Sequence, residues 1–299
     1  MQDDELQVVA QLAGFGAMKF ASQLAGLVTF QLDRVIVAAF LPIAQATYYA
    51  GPAMITQKLT LIQASFYTAF FPAASEMHAV RDPARLRRLH LGGQKLMLTI
   101  TIPLVVLLAV LARPLLSAWL GPRFGAASGD ILAMLALGYG LTLPTGMPAL
   151  VADATGHPHW TATAAVASTA INLPLTLLFV PRIGAIGAAC ALLINSGLQG
   201  LAFILVVQRF LLRVGVVEVL RSVVLRPMAI GVVVFAYALI AARLVSTLFE
   251  LIVALALGAL LAFALVLALG VLTEEERRVV RGVLEAGLGR VRRLSPPAR

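Results

Sequence analysis

Leu251–Leu272 reads LIVALALGALLAFALVLALGVL, 22 residues without one charged side chain. At 1.5 Å per residue a helix of that length reaches about 33 Å, enough to cross a hydrocarbon core of about 30 Å. A transmembrane β-strand would alternate polar and apolar residues over about ten positions. This run is continuously apolar, so a helix is the only spanning structure that satisfies its backbone in lipid.

Working outward, similar stretches lie at about 9–39, 46–74, 92–119, 128–153, 160–180, 185–208 and 225–245, with the quoted run inside the last, 248–272. The chain as a whole is 60% hydrophobic and 12% charged, too little polar surface to coat a water-soluble body of 299 residues. The expected fold is therefore all-α, a polytopic bundle of about eight membrane helices. Cys190, the single cysteine, falls inside an apolar span and reads as a packing residue. The acidic start, Met1-Gln2-Asp3-Asp4-Glu5, does not look like a cleavable signal peptide.

The net charge of +9 could suit nucleic acid, but its distribution points to a membrane. The segments 75–91 and 209–226 and the tail from 273 hold fifteen arginines, against four in the alternate loops: Arg113, Arg123, Arg182 and Arg243. By the positive-inside rule both termini are expected in the cytoplasm, which an even number of spans allows. Arg81–Leu89, Arg209–Arg226 and Glu274–Leu294 read as amphipathic segments held at an anionic lipid surface. Pro83 sits where a helix would begin. Gly184 and Gly187 mark a tight turn between two spans. Pro52, Pro103, Pro144, Pro148 and Pro174 interrupt the spans themselves, as happens where helices bend or line a cavity.

Ionisable groups at membrane depth are the sharpest functional clue, each costing about 2.5–3.5 kcal/mol on insertion scales unless paired or wet. They are Lys19, Asp33 and Arg34 in the first span and Lys58 in the second. One reading is a packing salt bridge such as Asp33 with Lys58. The other is a cationic, water-filled cavity that takes phosphate, since three cations exceed one anion. Asp33 is then the residue to pair with them or to bind a coupling ion. Asn172 and Asn195 read as polar cavity or helix-packing residues, and Asp153 as a group near a span end that reaches water. The four histidines, His78, His90, His157 and His159, are expected in loops. No metal cluster, phosphate loop or nucleophile motif appears, so neither an enzyme nor a cofactor is expected. A membrane glycosyltransferase would need a long external loop with carboxylates, which is lacking.

Leu32-Asp33-Arg34-Val35-Ile36-Val37 followed by Ala46-Thr47-Tyr48-Tyr49-Ala50 resembles the first and second helices of a lobe in polysaccharide flippases. Phe70-Phe71-Pro72-Ala73-Ala74-Ser75-Glu76, and Asn172-Leu173-Pro174 leading to Ile183-Gly184-Ala185-Ile186-Gly187, continue the likeness. The family is that of the Wzx-like oligosaccharide flippases, in the superfamily of the multidrug MATE exporters and the lipid II flippase MurJ. The resemblance implies two six-helix lobes and often two trailing helices. It assigns 1–212 to the second lobe, 213–272 to the trailing pair and 273–299 to a cytoplasmic basic tail, with a first lobe or another subunit as partner. It further implies a bacterial inner-membrane protein of O-antigen or lipopolysaccharide synthesis. Its substrate would be a lipid-linked oligosaccharide, its phosphates held by Lys19, Arg34 and Lys58. Lipid II transport, drug or cation antiport, and a non-transporting membrane role are the alternatives.

Overall fold

The computed structural model describes residues 16, 20, 24 and 31–271. Among these the chain is helical throughout, without strands. Helix α1 (31–40) is followed by α2 (Ile43–Gln57), α3 (Thr60–Ala79), α4 (Pro83–Val110) and α5 (Ala112–Leu120). Five longer units complete the bundle: α6 (Pro122–Ala154), α7 (Pro158–Ile183), α8 (Ile186–Leu211), α9 (Val216–Leu244) and α10 (Leu248–Ala268). Six helices, α4 and α6 to α10, are long and apolar enough to cross a membrane.

The count of eight is not reproduced as such. Most of the first expected span, with Lys19, and the whole expected tail lie outside the described residues. The second span is two helices, broken at Lys58-Leu59. There the Thr60 hydroxyl donates to the Gln57 carbonyl at 2.7 Å, and the Leu61 N–H bonds instead to the Lys58 carbonyl at 3.1 Å. Side-chain competition of this kind bends a helix.

The third span is also displaced. Asp82 caps α4 by accepting the Arg85 N–H at 2.9 Å, and Pro83 occupies the first turn. The helix therefore starts nine residues before the expected 92, runs to Val110, and hands over to the separate short helix α5. Likewise α9 starts at Val216, so the expected interfacial segment 209–226 merges largely into spans. Among the prolines, Pro144 coincides with a change of helix type, a 3₁₀ turn at Leu143–Thr145 inside α6. Helix α8 carries π-helical stretches at Ser196–Gly200 and Val207–Leu211.

Three larger apolar cores, and a smaller one around Leu98, Val214, Val219 and Val223, organise the described residues. One joins α1, α2, α6 and α8 with the end of α4, around Val37, Ala136 and Ala188. A second joins α3, α4 and the end of α6, around Phe70, Met97 and Leu150. The third seats α9 and α10 on α4, around Leu107, Ile230 and Ala254. The loops at 80–82, 155–157 and 212–215 share one end of the bundle with Arg81, Arg85, Arg87, Arg209 and Arg213. The outer faces of α9 and α10 expose Val232, Ile240, Phe249, Leu260 and Phe263, as lipid contact requires.

The turn between α7 and α8 behaves as expected. Gly184 adopts φ +74°, which side chains rarely tolerate. A Cβ at Gly187 would lie 2.6 Å from the backbone carbonyl carbon of Phe179. Replacing Gly187 by alanine is expected to destabilise the purified chain by about 1–3 kcal/mol through overpacking against backbone. Gly197→Ala, whose nearest neighbour is 3.6 Å away, should change the thermal midpoint much less. Melting both variants in the same detergent checks the contrast.

Candidate functional site: a carboxylate and two cations on neighbouring helices

Asp33 is 4% exposed and faces α7. Asn172 Nδ2 donates to its Oδ1 at 2.9 Å, and the Thr176 hydroxyl donates to the same oxygen at 3.0 Å. Positions 172 and 176 are one helical turn apart, so a single face of α7 supplies both donors. The packing salt bridge of Asp33 with Lys58, one of the two readings of the sequence, is not formed; two neutral donors take its place. Asn172 Oδ1 is buried and has no hydrogen-bond partner among the described residues.

Arg34, the next residue on α1, turns to a different neighbour. One terminal guanidinium nitrogen donates to Gln57 Oε1 at 3.0 Å, while its Nε is buried without a partner among the described residues. Gln57 is the last residue of α2, and Lys58, beside it in the chain, is exposed at the helix break. The carboxylate and the cations are thus sorted: Asp33 into the α1–α7 contact, Arg34 and Lys58 toward the α2–α3 break. An arginine held by a neutral amide keeps its full charge and spare N–H donors for an anion.

Asn195 is 2% exposed and donates to Ser168 Oγ at 2.8 Å, joining α8 to α7. Several buried polar groups differ from, or add to, the sequence reading. Asp153 does not reach water. It is 3% exposed, accepts from the Tyr67 hydroxyl at 3.0 Å and from the Thr161 hydroxyl at 2.8 Å, and so ties α3, α6 and α7 together. His90 is not in a loop but fully buried within α4. Lys95, 4% exposed on the same helix, is an ionisable membrane residue that the sequence reading passed over. Gln208 Nε2 donates to Gln94 Oε1 at 3.2 Å nearby in sequence, linking α8 to α4. The capping pair Asp82-Pro83 was the signal for His90, because it starts the helix nine residues before 92; Gln94 and Lys95 fall within the expected span 92–119.

Comparison with known proteins bears on this arrangement. Residues 4–128 match a family model described as polysaccharide biosynthesis protein. A curated relative, a putative O-antigen transporter from Shigella flexneri, is 26% identical over 175 residues, covering 58% of this chain and 41% of the relative. Among solved structures, the lipid II flippase MurJ in an inward closed conformation aligns over 80% of this chain and 50% of its own, with a TM-score of 0.62 and 18% identity. A MOP superfamily transporter from Pyrococcus furiosus aligns over 87% of this chain and 70% of its own, with a TM-score of 0.58 and 14% identity. The chain therefore spans about two fifths of the curated relative's length and half of MurJ's. These likenesses support the resemblance to the Wzx-like flippases, and the chain has the helical fold shared by MurJ and the MOP superfamily transporters.

Proposed function

We propose that this chain is the second lobe and trailing helix pair of a flippase that carries a polyprenyl-pyrophosphate oligosaccharide across a bacterial inner membrane. The observation that carries the proposal is the sorting of charge at the α2–α3 break. Among the described residues the Arg34 side chain is hydrogen-bonded only to Gln57, and Lys58 stands exposed beside it. The lipid tail of such a substrate can stay in the bilayer, but its phosphates need a cationic surface at membrane depth. Arg34 and Lys58 offer that surface, and Lys19 is proposed to extend it. A drug or cation antiporter would be served better by carboxylates there.

The proposed substrate path lies between this lobe and a counterpart lobe, supplied by the same polypeptide or by another subunit. The arginine-rich end is proposed to face the cytoplasm, with α9 and α10 as the pair appended to the lobe. Alternating access would follow from rocking the lobes about the path. Asp33 is proposed to exchange a proton or Na⁺ with this motion. Asn172 and Thr176 hold its carboxyl in place and do not neutralise it.

Deleting the gene in its source organism should remove surface polysaccharide and cause polyprenyl-linked oligosaccharide to accumulate in the membrane. Accumulation of lipid II instead, or sensitivity to cationic drugs with surface glycan intact, would replace this reading with one of its rivals. Complementation with Lys58→Ala is expected to lower export on the order of tenfold at unchanged membrane abundance, the scale of one lost charge-assisted hydrogen bond. Glycan staining and quantitative immunoblotting measure the two quantities.

Asp33→Leu should destabilise the purified chain by about 1–3 kcal/mol, because two buried donors lose their acceptor. Asp33→Asn retains an acceptor oxygen and should melt closer to the unsubstituted chain, yet export through it should lose its dependence on the ion gradient. Thermal melts and export with and without an ionophore distinguish the two effects.

A further inference from the structure

A cleft of about 630 Å³ opens where α4 ends, between α5, the first half of α6 and the end of α9. This end of the bundle lies opposite the arginine-rich loops, because α4 and α9 both start at those loops and run away from them. Ala109, Val110, Ala133, Ala242 and Val245 give the cleft an apolar wall. The short helix α5 buries Ala112 and Leu116 and leaves Trp119 and Leu120 exposed. An outward tryptophan on a short helix at the end of a span marks the headgroup level of a bilayer. The cleft therefore opens at the depth of lipid headgroups.

Among the described residues, Arg113 and Asp130 are the ionisable ones that line it. Arg113 Nε donates to Asp130 Oδ1 at 3.1 Å, and a terminal guanidinium nitrogen donates to Oδ2 at 2.6 Å. The two side chains are 63% and 56% exposed, so the pair stands at the mouth of the cleft. Gly129 seats it. A Cβ there would lie 2.1 Å from Arg113 Cγ, so the arginine stem lies flat across the glycine. The pair uses two of the five guanidinium N–H groups and two of about four carboxylate lone-pair sites. Spare donors and spare acceptors are left side by side, with no net charge. A zwitterion has the complementary arrangement, its anion meeting Arg113 and its cation meeting Asp130. An anionic headgroup would meet the Asp130 carboxylate instead, and suits the arginine-rich end better. The cation is further specified. A quaternary ammonium has no N–H to give Asp130 and is recognised by aromatic cages, but no aromatic side chain is among the described lining residues. A primary ammonium brings three N–H donors.

We propose that this cleft seats one phosphatidylethanolamine molecule, its ammonium on Asp130, its phosphate on Arg113 and its glycerol against the alanine wall. Helices α5 and α6 hold the headgroup and α9 closes the apolar side, so the lipid joins α9 to the rest of the bundle at this end. The site is separate from Arg34 and Lys58, which lie at the α2–α3 break.

The test is native mass spectrometry of the full 299-residue chain, delipidated in detergent and titrated with palmitoyl-oleoyl phosphatidylethanolamine, phosphatidylcholine or phosphatidylglycerol. One phosphatidylethanolamine per chain is expected to bind about tenfold more tightly than either other lipid, the factor for roughly 1.4 kcal/mol. Asp130→Asn should remove that preference and shift it to phosphatidylglycerol, because Arg113 is then an unpaired cation. Arg113→Gln should weaken phosphatidylethanolamine without strengthening phosphatidylglycerol. Equal affinity of the unsubstituted chain for the three lipids, or a preference for phosphatidylglycerol or phosphatidylcholine, would overturn the proposal without any variant. An ion pair that only braces α5 on α6 would change the thermal midpoint of both variants and leave the order of lipids as it was, and that outcome would overturn it too.

Discussion

A carboxyl group inside a membrane must find its hydrogen bonds within the protein, and the placement of Asp33 meets that requirement through one neighbouring helix. Asn172 and Thr176 stand a turn apart on α7 and converge on one oxygen. This fixes the rotation of α1 about its own axis. With Asp33 turned toward α7, Arg34 must leave in another direction, about 100° further round the helix. It arrives at Gln57, at the end of α2. The geometry of the cationic surface thus follows from where the acid is satisfied. The same rule governs Asp153, whose two hydroxyl partners lie on α3 and α7, and Gln208, which finds Gln94 on α4.

Much of the bundle is legible in the sequence, because lipid imposes one strict test on each segment. The apolar stretches around 128–153, 160–180, 185–208 and 248–272 correspond to α6, α7, α8 and α10, and the turn at Gly184 follows from its dihedral angle. The failures share a physical cause. Hydropathy locates the middle of a span but not its cap, so the expected span begins nine residues late and leaves His90 outside α4. The break at Lys58-Leu59 depends on where the hydroxyl of Thr60 bonds, which no average over a window detects. At the site, the residue types were legible and the pairings were not. Whether Asp33 meets Lys58 or Asn172 depends on the relative rotation of helices that are far apart in sequence.

Helix α4 contributes to every apolar core, packing against α3 and α6 in one and against α9 and α10 in another. The second contact is made through glycine. A Cβ at Gly231 would lie 2.5 Å from Ile102 Cγ2, and one at Gly258 would lie 2.7 Å from a Leu107 methyl carbon. In water such a seat would be reinforced by expulsion of solvent. In a bilayer the lipid tails are as apolar as the side chains, and what remains is van der Waals fit. Helices α9 and α10 can therefore insert as independent spans and afterwards recognise α4 by shape. The ridge formed by Ile102 and Leu107 acts as a key, and the two glycines as the notches that admit it.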